Sequence, residues 1–579
     1  MSSWTSTPKA FLGAILSISV LAPALAQSKT SATRAPAPAA SLQRADTAFK
    51  AGYAAMQAGH LEDARMQFAE ATRLAPKLAE AHSALGIVLA QLDRPQEAIA
   101  ELEKALALKP DDPATLANLA QLHETQALKA ADAGKPEIAE AELNSAIKYL
   151  QGDYPLSSGS PNHDELSKLK DELGSTLAQQ KRWREAETAF REALLLAGAA
   201  PSASIHMHLG VVLVQLKHVD DGLSELEKAV QDAPGEAQFE FQLGSALATI
   251  GNDEEAIPHL ETALKQNPRL IGGALTLAMA EQRLGRQEES IPLFRQAIEQ
   301  DPANPAALTN LGLALTETGK AKEAVPILNR ALALTSNDPV VHEDLGVALL
   351  QQSDFDAAIV EFEKAGTLDA ANPQLHYDLG LAYKLKDRMD DSIRELKKAA
   401  SLDPSLPDPP YTLGILYMQL GQLETSATEL QKALALRPGN GDGWAILGSV
   451  FKQLGKQDEA AIALRKAVEI LPNQPGPHIT LAAVLAEQGK RDEAAAERKI
   501  AADLSRLAVN HQRAMLNTNA GNQALQRGEI ADAVSKYLEA IAADPHYIEA
   551  HRQLAVAYDR QGRTADAAAE RAKAESRNN

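Results

Sequence analysis

A pattern that recurs every 34 residues is the feature that most constrains the fold of this chain. One column of the pattern holds proline, a second holds glycine or alanine, and a third holds alanine. The prolines are Pro234, Pro268, Pro302, Pro404, Pro438 and Pro472, and the glycines include Gly210, Gly244, Gly312, Gly346, Gly380, Gly414 and Gly448. A fixed period of this length indicates one supersecondary unit copied many times, which predicts a solenoid rather than a globular domain.

Hydrophobic spacing within one copy of the pattern predicts a pair of helices. Leu311 and Leu315 recur at helical spacing, and Leu328 and Leu332 do the same after a break at Gly319. Two helices of this length cannot bury their apolar faces alone, so neighbouring copies must supply the other wall. Glycine or alanine at the crossing positions allows the helix backbones to approach closely.

The residue types in these columns resemble the tetratricopeptide repeat family from about residue 45 to residue 579. In the unit that begins at Ala237, the family's signature positions 8, 20, 24, 27 and 32 hold Gly244, Ala256, Leu260, Ala263 and Pro268. Positions below are counted within a unit in this way, with Ala237 as position 1. The resemblance implies an all-α, right-handed superhelical solenoid of about fifteen helix-turn-helix units.

The N-terminal residues differ from the repeats. Lys9 precedes an apolar run over residues 10–22, and residues 24–26 read Ala-Leu-Ala. This pattern is typical of a cleaved signal peptide, here residues 1–26, and the run is shorter than the about 20 residues of a membrane span. We therefore expect an exported, periplasmic protein with no integral membrane segment after cleavage. The alternatives are full secretion and anchoring by an uncleaved N-terminal segment.

The pattern also predicts how the rest of the chain is divided. Residues 27–44 are rich in Ala, Pro and Ser and predict a flexible linker. The third unit gains about seven residues in its first helix and turn, an irregular insertion follows at 152–166, and roughly five extra residues near 498–515 extend one helix into the next unit. The predicted blocks are 45–151 with about three units, 167–508 with about ten, and 514–579 with about two. Such insertions either fall in loops and helix ends without consequence or change the superhelical twist.

Composition and motifs narrow the class of function. The net charge of −20 opposes binding to nucleic acid or an anionic membrane, because both require a basic face. The chain has no cysteine, which removes disulfides, thiolate metal sites and cysteine nucleophiles. It also lacks a phosphate-binding glycine loop, a nucleophile elbow and a His-Glu-x-x-His motif. We therefore expect no enzyme activity, no cofactor and no metal site.

Histidine occurs repeatedly at position 4 of the units. The six histidines of this column, among fourteen in the chain, are His82, His206, His342, His376, His478 and His551. Trp444 occupies the same position, and the resemblance implies that tryptophan is the family's residue there. We interpret these side chains as packing residues rather than metal ligands.

The resemblance also implies that the first helix of each unit lines a concave groove. In this chain, the residues that we expect to line the groove stand at positions 5, 9 and 12 of their repeat units. The predicted partner-binding residues are Met207, Phe241, Leu275, Met279, Tyr377, Lys384, Tyr411, Met418 and Lys452. Aromatic rings and methionines suit protein ligands because they supply large apolar contacts. We expect a non-catalytic scaffold that holds an extended peptide or a partner helix, in assembly or secretion of envelope proteins or exopolysaccharide. The alternatives are a self-assembling structural protein and a carbohydrate-binding repeat module.

Overall fold

The computed structural model describes residues 37–151, 163–198 and 201–576, and all regular secondary structure in these ranges is helical. The chain divides into two compact units, Met1–Ala314 and Leu315–Asn579. We refer to these two compact units as unit 1 and unit 2, and to each 34-residue copy of the pattern as a repeat unit. None of the helices in the described ranges has the length and apolar character that crossing a bilayer requires.

The described part of unit 1 consists of consecutive helices. Its helices are α1 (Ala37–Gln57), α2 (Leu61–Leu74), α3 (Ala79–Gln91), α4 (Pro95–Leu108), α5 (Pro113–Asp132), α6 (Pro136–Gln151), α7 (His163–Gln179), α8 (Trp183–Ala197), α9 (Ala203–Gln215), α10 (Val219–Asp232), α11 (Ala237–Thr249), α12 (Asp253–Gln266), α13 (Gly273–Arg283) and α14 (Gln287–Gln300). The boundary between the units falls inside α15 (Pro305–Glu317), at a place that no break in the sequence pattern marks.

Unit 2 continues in the same way. Its helices are α16 (Ala321–Leu334), α17 (Pro339–Gln351), α18 (Phe355–Leu368), α19 (Pro373–Leu385), α20 (Met389–Leu402), α21 (Asp408–Gln419), α22 (Leu423–Leu436), α23 (Gly441–Gln453), α24 (Gln457–Ile470), α25 (Pro475–Glu487), α26 (Arg491–Gln526), α27 (Ile530–Ala543), α28 (Ile548–Arg560) and α29 (Thr564–Glu575).

Each unit is a stack of helical hairpins. In unit 1, α9 packs against α10, and α10 packs against α11 of the next hairpin. In unit 2, α19 packs against α20, and α20 packs against α21 in the same manner. This is the solenoid architecture that the 34-residue period predicts, since every hairpin buries its apolar surface against its neighbours.

The small residue at position 8 sets the distance between the two helices of a hairpin. A Cβ added at Gly346 would stand 2.6 Å from the ring of Phe362, and one added at Gly210 would stand 2.7 Å from Leu226 Cγ. Both partners belong to position 24 and are fully buried. A side chain at position 8 would therefore force the two helices apart.

The N-terminal boundary and the insertion differ from the sequence predictions. Helix α1 begins at Ala37, so the second part of the predicted linker at 27–44 is helical. Helix α7 begins at His163, so the last residues of the predicted irregular insertion at 152–166 are also helical. Both stretches carry residues that are compatible with a helix, and packing against the adjacent hairpin selects that conformation. The predicted signal peptide, residues 1–26, and residues 152–162 lie outside the described ranges.

The two predicted helix extensions are present. Helix α5 has 20 residues whereas α3, the first helix of the preceding hairpin, has 13. Helix α26 has 36 residues and runs through the break expected near 498–515. It packs against α25 before that break and against α27 after it. The division of the array into three blocks at these places stays a prediction.

Candidate functional site

In unit 1 the predicted partner-binding residues are largely part of the packing. Met207 on α9 is only 6% exposed and lies in the core cluster with Leu226 and Leu243, so its prediction as a partner contact is wrong. The fifth position of α9 packs in the core cluster with Leu243 and Leu247 of the next hairpin. Phe241 on α11 is half-buried against the same cluster, and Leu275 on α13 is half-buried as well.

Met279 on α13, the last of the predicted partner-binding residues in unit 1, is also half-buried. A face that offers only the edges of apolar side chains provides contact area but little specificity for a peptide.

In unit 2 the predicted aromatic residues keep part of their surface exposed. Tyr377 on α19 and Tyr411 on α21 stand at position 5 of consecutive units and are half-buried. Tyr377 packs against the cluster that contains Leu413, and Tyr411 packs against the cluster that contains Leu447. Burial raises the pKa of both phenols, so both keep their hydroxyl protons at neutral pH. We call the first-helix surface of α17, α19 and α21 around these rings the tyrosine face.

The remaining predicted residues of unit 2 lie on the same first helices or the next one. Met418 on α21 is half-buried against the cluster that also holds Tyr411. Lys384 on α19 and Lys452 on α23 are half-exposed at position 12, and Lys452 Nζ lies 3.9 Å from a carboxylate oxygen of Glu487. The two lysines therefore stand at the opposite end of the first helices from the tyrosines.

Three carboxylates of the tyrosine face were not among the predicted site residues. Glu343 and Asp344 lie on α17, and Asp378 lies on α19. Glu343 and Asp378 interact with each other, and we call these two the Glu343 cluster, whereas the acidic neighbours of Asp344 are Glu343, Glu317 and Asp338. Asn372 Nδ2 donates to Glu343 at 2.9 Å, and Gln374 Nε2 donates to both oxygens of Asp378 at 3.2 Å. Asp344 Oδ2 is buried and has no hydrogen-bond partner.

Burial makes the charged form of these carboxylates costly. Burial and the Glu343 carboxylate, together with more distant acidic groups, raise the pKa of Asp344 to about 7. Burial raises the pKa of Asp378 to about 6, although the hydrogen bonds from Gln374 act in the opposite direction. Burial and the neighbouring Asp378 also raise the pKa of Glu343. The signal for this cluster in the sequence is an acidic residue at position 5 of one repeat unit followed by an acidic residue at position 6 of the next.

Unit 1 has an acidic cluster that contains its own cation. Lys168 Nζ pairs with Glu124 and lies 3.9 Å from Glu165 and 3.8 Å from Glu172. We call these four residues the Lys168 cluster. Burial raises the pKa of Glu172 to about 7, with Lys168 opposing the shift. One ammonium group thus faces three carboxylates.

The position 4 histidines are tied to the second helices of their hairpins. Their Nδ1 atoms lie 2.5–2.8 Å from a glutamate 19 residues later. The six histidines of the column form the pairs His82–Glu101, His206–Glu225, His342–Glu361, His376–Glu395, His478–Glu497 and His551–Glu570. His123, which the sequence prediction did not include, forms the equivalent pair with Glu142. The interpretation of the histidines as packing residues is confirmed. Their carboxylate partners were not predicted, although a column of glutamates at position 23 of the repeat units indicates them.

Most of these histidines also contact the turn before their unit. His376 Nε2 lies 3.2 Å from the carbonyl oxygen of Ala370, and four other histidines make the same contact at 3.1–3.2 Å. Trp444 Nε1 donates to the Pro438 carbonyl at 2.9 Å in the same way. The position 4 side chain therefore joins the first helix to the preceding turn, which is a structural role.

Two cavities in unit 2 lie on the second-helix side, away from the tyrosine face. One has a volume of about 460 Å³ between α22, α23 and α24, with Trp444, Phe451 and Ile462 in its lining. The other, of about 430 Å³, lies three repeats earlier around His342 and Glu361 and is more polar. Neither lining contains a predicted partner-binding residue.

The helical hairpins and the buried small-residue columns of the described ranges define a helical-repeat protein. Models of the tetratricopeptide repeat match residues 31–113, 172–237, 209–270, 275–339 and 411–475, and further ones match 348–387, 373–406, 475–497 and 521–562. These matches cover more than half of the chain. The chain belongs to the tetratricopeptide repeat family.

Comparisons with individual proteins add little beyond the family. No curated protein matches the sequence. A crystal structure of MamA is 28% identical over 28% of this chain and 94% of its own, with a TM-score of 0.27. YrrB, described as a TPR protein with an unusual peptide-binding site, is 21% identical over 31% of this chain and 92% of its own, with a TM-score of 0.29.

A third solved structure matches nearly the whole chain. The APC/C hetero-tetramer Cut9–Hcn1 is 17% identical over 90% of this chain and 98% of its own, with a TM-score of 0.28. TM-scores of this size carry no argument about the partner or the shape of the present protein.

Proposed function

We propose that this protein is a non-catalytic scaffold that holds an extended peptide or a helix of a partner protein against the tyrosine face. The observation that carries the proposal is the pair Tyr377 and Tyr411, half-exposed at the same position of consecutive hairpins. Each ring is fixed by the buried cluster beneath it. Rings fixed in this way contact a ligand with little loss of side-chain entropy.

Several modest contacts on a preformed surface account for affinity without an enclosed pocket. Membership of the repeat family supports this reading, because a stack of hairpins presents an extended surface to a partner. Tyrosine is among the residues that carry most of the binding energy in protein interfaces. Met418 beside Tyr411 adds an apolar side chain that adjusts to different ligands.

The proposed setting is the cell envelope. The signal-like pattern over residues 1–26 supports export to the periplasm, with secretion as the alternative. Assembly or secretion of envelope proteins or exopolysaccharide is the role that we propose there, and it rests on analogy with other exported arrays of such repeats.

Affinity capture from the native envelope fraction tests the proposal. The baits are the full chain, the double variant Tyr377→Ala/Tyr411→Ala, and the control Tyr547→Ala. Tyr547 is a half-buried tyrosine of the same unit in the turn before α28, outside the tyrosine face. We expect partners that the full chain and the control capture and the double variant loses, at unchanged helicity. An identical partner set from all three baits would contradict the proposal.

A further inference from the structure

The Lys168 cluster and the Glu343 cluster occupy equivalent positions of the repeat. Lys168 lies six residues before Gly174, and Gln374 lies six residues before Gly380. Both glycines are at position 8, because each packs against the position 24 side chain of its own hairpin. Position 2 is therefore lysine in one cluster and glutamine in the other.

The carboxylates around position 2 correspond as well. Glu172 and Asp378 both lie four residues after position 2, at position 6. Glu124 and Glu343 both stand at position 5 of the repeat unit that precedes their cluster's position 2 residue. Each directly follows a histidine that pairs with a glutamate 19 residues later. The two clusters are thus one constellation, present once with an ammonium group and once without it.

The Glu343 cluster lacks a cation of its own in the contacts that it makes. Its donors are the neutral amides of Asn372 and Gln374. Glu343 and Asp378 thus lack the ammonium group that lies beside the equivalent Glu124 and Glu172 in unit 1. Among the described residues, no group of histidine and carboxylate side chains has an arrangement that could hold a metal ion. An organic cation with N–H donors fits these observations better than a metal.

We infer that a lysine or arginine side chain of the bound peptide enters the Glu343 cluster and occupies the place that the Lys168 ammonium group occupies in unit 1. This inference rests on the proposed function, because it assigns the chemistry of one residue of the peptide on the tyrosine face. Tyr377 precedes Asp378 on α19 and adds an aromatic surface beside the cation. The net charge of −20 draws basic segments toward the protein in general.

The pH response of the carboxylates agrees with this occupant. Burial raises the pKa of Asp378 to about 6, and burial together with the Asp378 carboxylate raises the pKa of Glu343. A bound cation favours the ionised form and would lower both pKa values. We therefore expect the cluster to release protons when a lysine or arginine side chain binds.

A peptide array and one substitution test the inference. The array carries decapeptides in which one position is fixed as Lys, Arg, norleucine, citrulline or Glu while the other positions are equimolar mixtures. It is probed at pH 8 with the full chain and with Gln374→Lys, which introduces the internal cation of unit 1. Gln374→Met is the matched control, because it has similar length and no charge. Gln374 is exposed, so both variants retain the core.

The strongest Lys or Arg peptide is then resynthesised, and its Kd is measured by fluorescence polarisation beside its norleucine or citrulline analogue. We expect the neutral analogue to bind the full chain about tenfold more weakly, which is the size of one charge-assisted contact. We expect Gln374→Lys to weaken the cationic peptide about tenfold and to leave the neutral analogue unchanged, whereas Gln374→Met retains the preference.

Three results would overturn the inference in distinguishable ways. If cationic and neutral peptides bind equally, or if Gln374→Lys does not reduce the preference, the cluster does not receive a cation and the scaffold function stands. If Gln374→Met removes the preference as fully as Gln374→Lys, the amide rather than the free carboxylates is responsible. If no peptide binds the full chain but all variants keep their helicity, the proposed function fails as well.

Discussion

The Lys168 cluster and the Glu343 cluster share two carboxylate positions and differ in how their charge is met. In unit 1, one ammonium group contacts Glu124 and lies near Glu165 and Glu172. In unit 2, Glu343 and Asp378 receive hydrogen bonds from amides only. Equivalent acidic residues of a repeat array thus have an internal cation beside them in one place and only neutral donors in the other.

The position 2 residues of the two clusters also differ in their place along the helix. Helix α7 begins at His163, so Lys168 lies in its second turn. Helix α19 begins at Pro373, so Gln374 is its second residue. The positive end of a helix dipole disfavours a cation in the first turn, so the carboxylates of the Glu343 cluster must outweigh this effect when a peptide cation binds there.

The largest expected effect comes from removing the internal cation. We expect Lys168→Met to lower the free energy of unfolding by about 2 kcal/mol at pH 8, because Glu124 and Glu172 lose their counter-ion. At pH 5 we expect most of this loss to disappear, since the pKa of Glu172 is already about 7 and its proton then neutralises it. Urea denaturation monitored by circular dichroism at the two pH values measures the effect.

The control for this variant is Lys129→Met. Lys129 pairs with Asp93 at 2.6 Å, but both side chains are largely exposed, so its loss costs less than about 1 kcal/mol. An equal loss for Lys168→Met at pH 5 and pH 8 would show that its packing, and not its charge, stabilises unit 1.

The next effect is the pH dependence of binding at the Glu343 cluster. Asp378 ionises as the pH rises through about 6. A cationic peptide binds the ionised form, so we expect its affinity to rise about tenfold between pH 5 and pH 8. The neutral analogue should show no such rise. A parallel pH dependence for both peptides, measured by fluorescence polarisation, would argue against the cluster as the cation site.

The smallest effect concerns stability in unit 2 and has the opposite sign to that of Lys168→Met. Because the folded-state pKa of Asp344 is raised to about 7, the folded protein holds a proton that the unfolded chain releases near pH 4, so stability falls as pH rises through this window. We expect Asp344→Asn to raise the free energy of unfolding by about 1 kcal/mol at pH 8 and to change little at pH 4. A loss of stability at pH 8 would mean that Asp344 has a partner within the fold.

The 34-residue period predicted the fold well because the packing of the two helices within each hairpin fixes that period. Gly346 must lie against Phe362, and such contacts recur at one interval only if the same hairpin recurs. The start of α1 at Ala37 was not predicted, because residues 37–44 carry no signal that separates a linker from a helix end. The boundary inside α15 was not predicted either, since the pattern continues through it without a break.

The candidate site was only partly predictable. Tyr377 and Tyr411 were found because family positions indicate the first-helix surface, but position 5 alone could not separate them from Met207, which is buried. Burial depends on neighbouring side chains from the next hairpin. The Glu343 cluster was missed because charge on a helix face is ordinarily solvated. Only the structure shows that amides alone donate to Glu343 and Asp378, and that a lysine occupies the equivalent place in unit 1.

Site-specific photo-crosslinking tests the central claim most directly. The photoreactive residue p-benzoylphenylalanine replaces Tyr411 in one protein and Ile462 in another. Ile462 is 62% exposed beside the apolar cavity on the second-helix side, which makes it the strongest rival surface. With the highest-affinity lysine peptide, we predict an adduct at position 411 and none at position 462. An adduct at 462 without one at 411 would contradict binding at the tyrosine face.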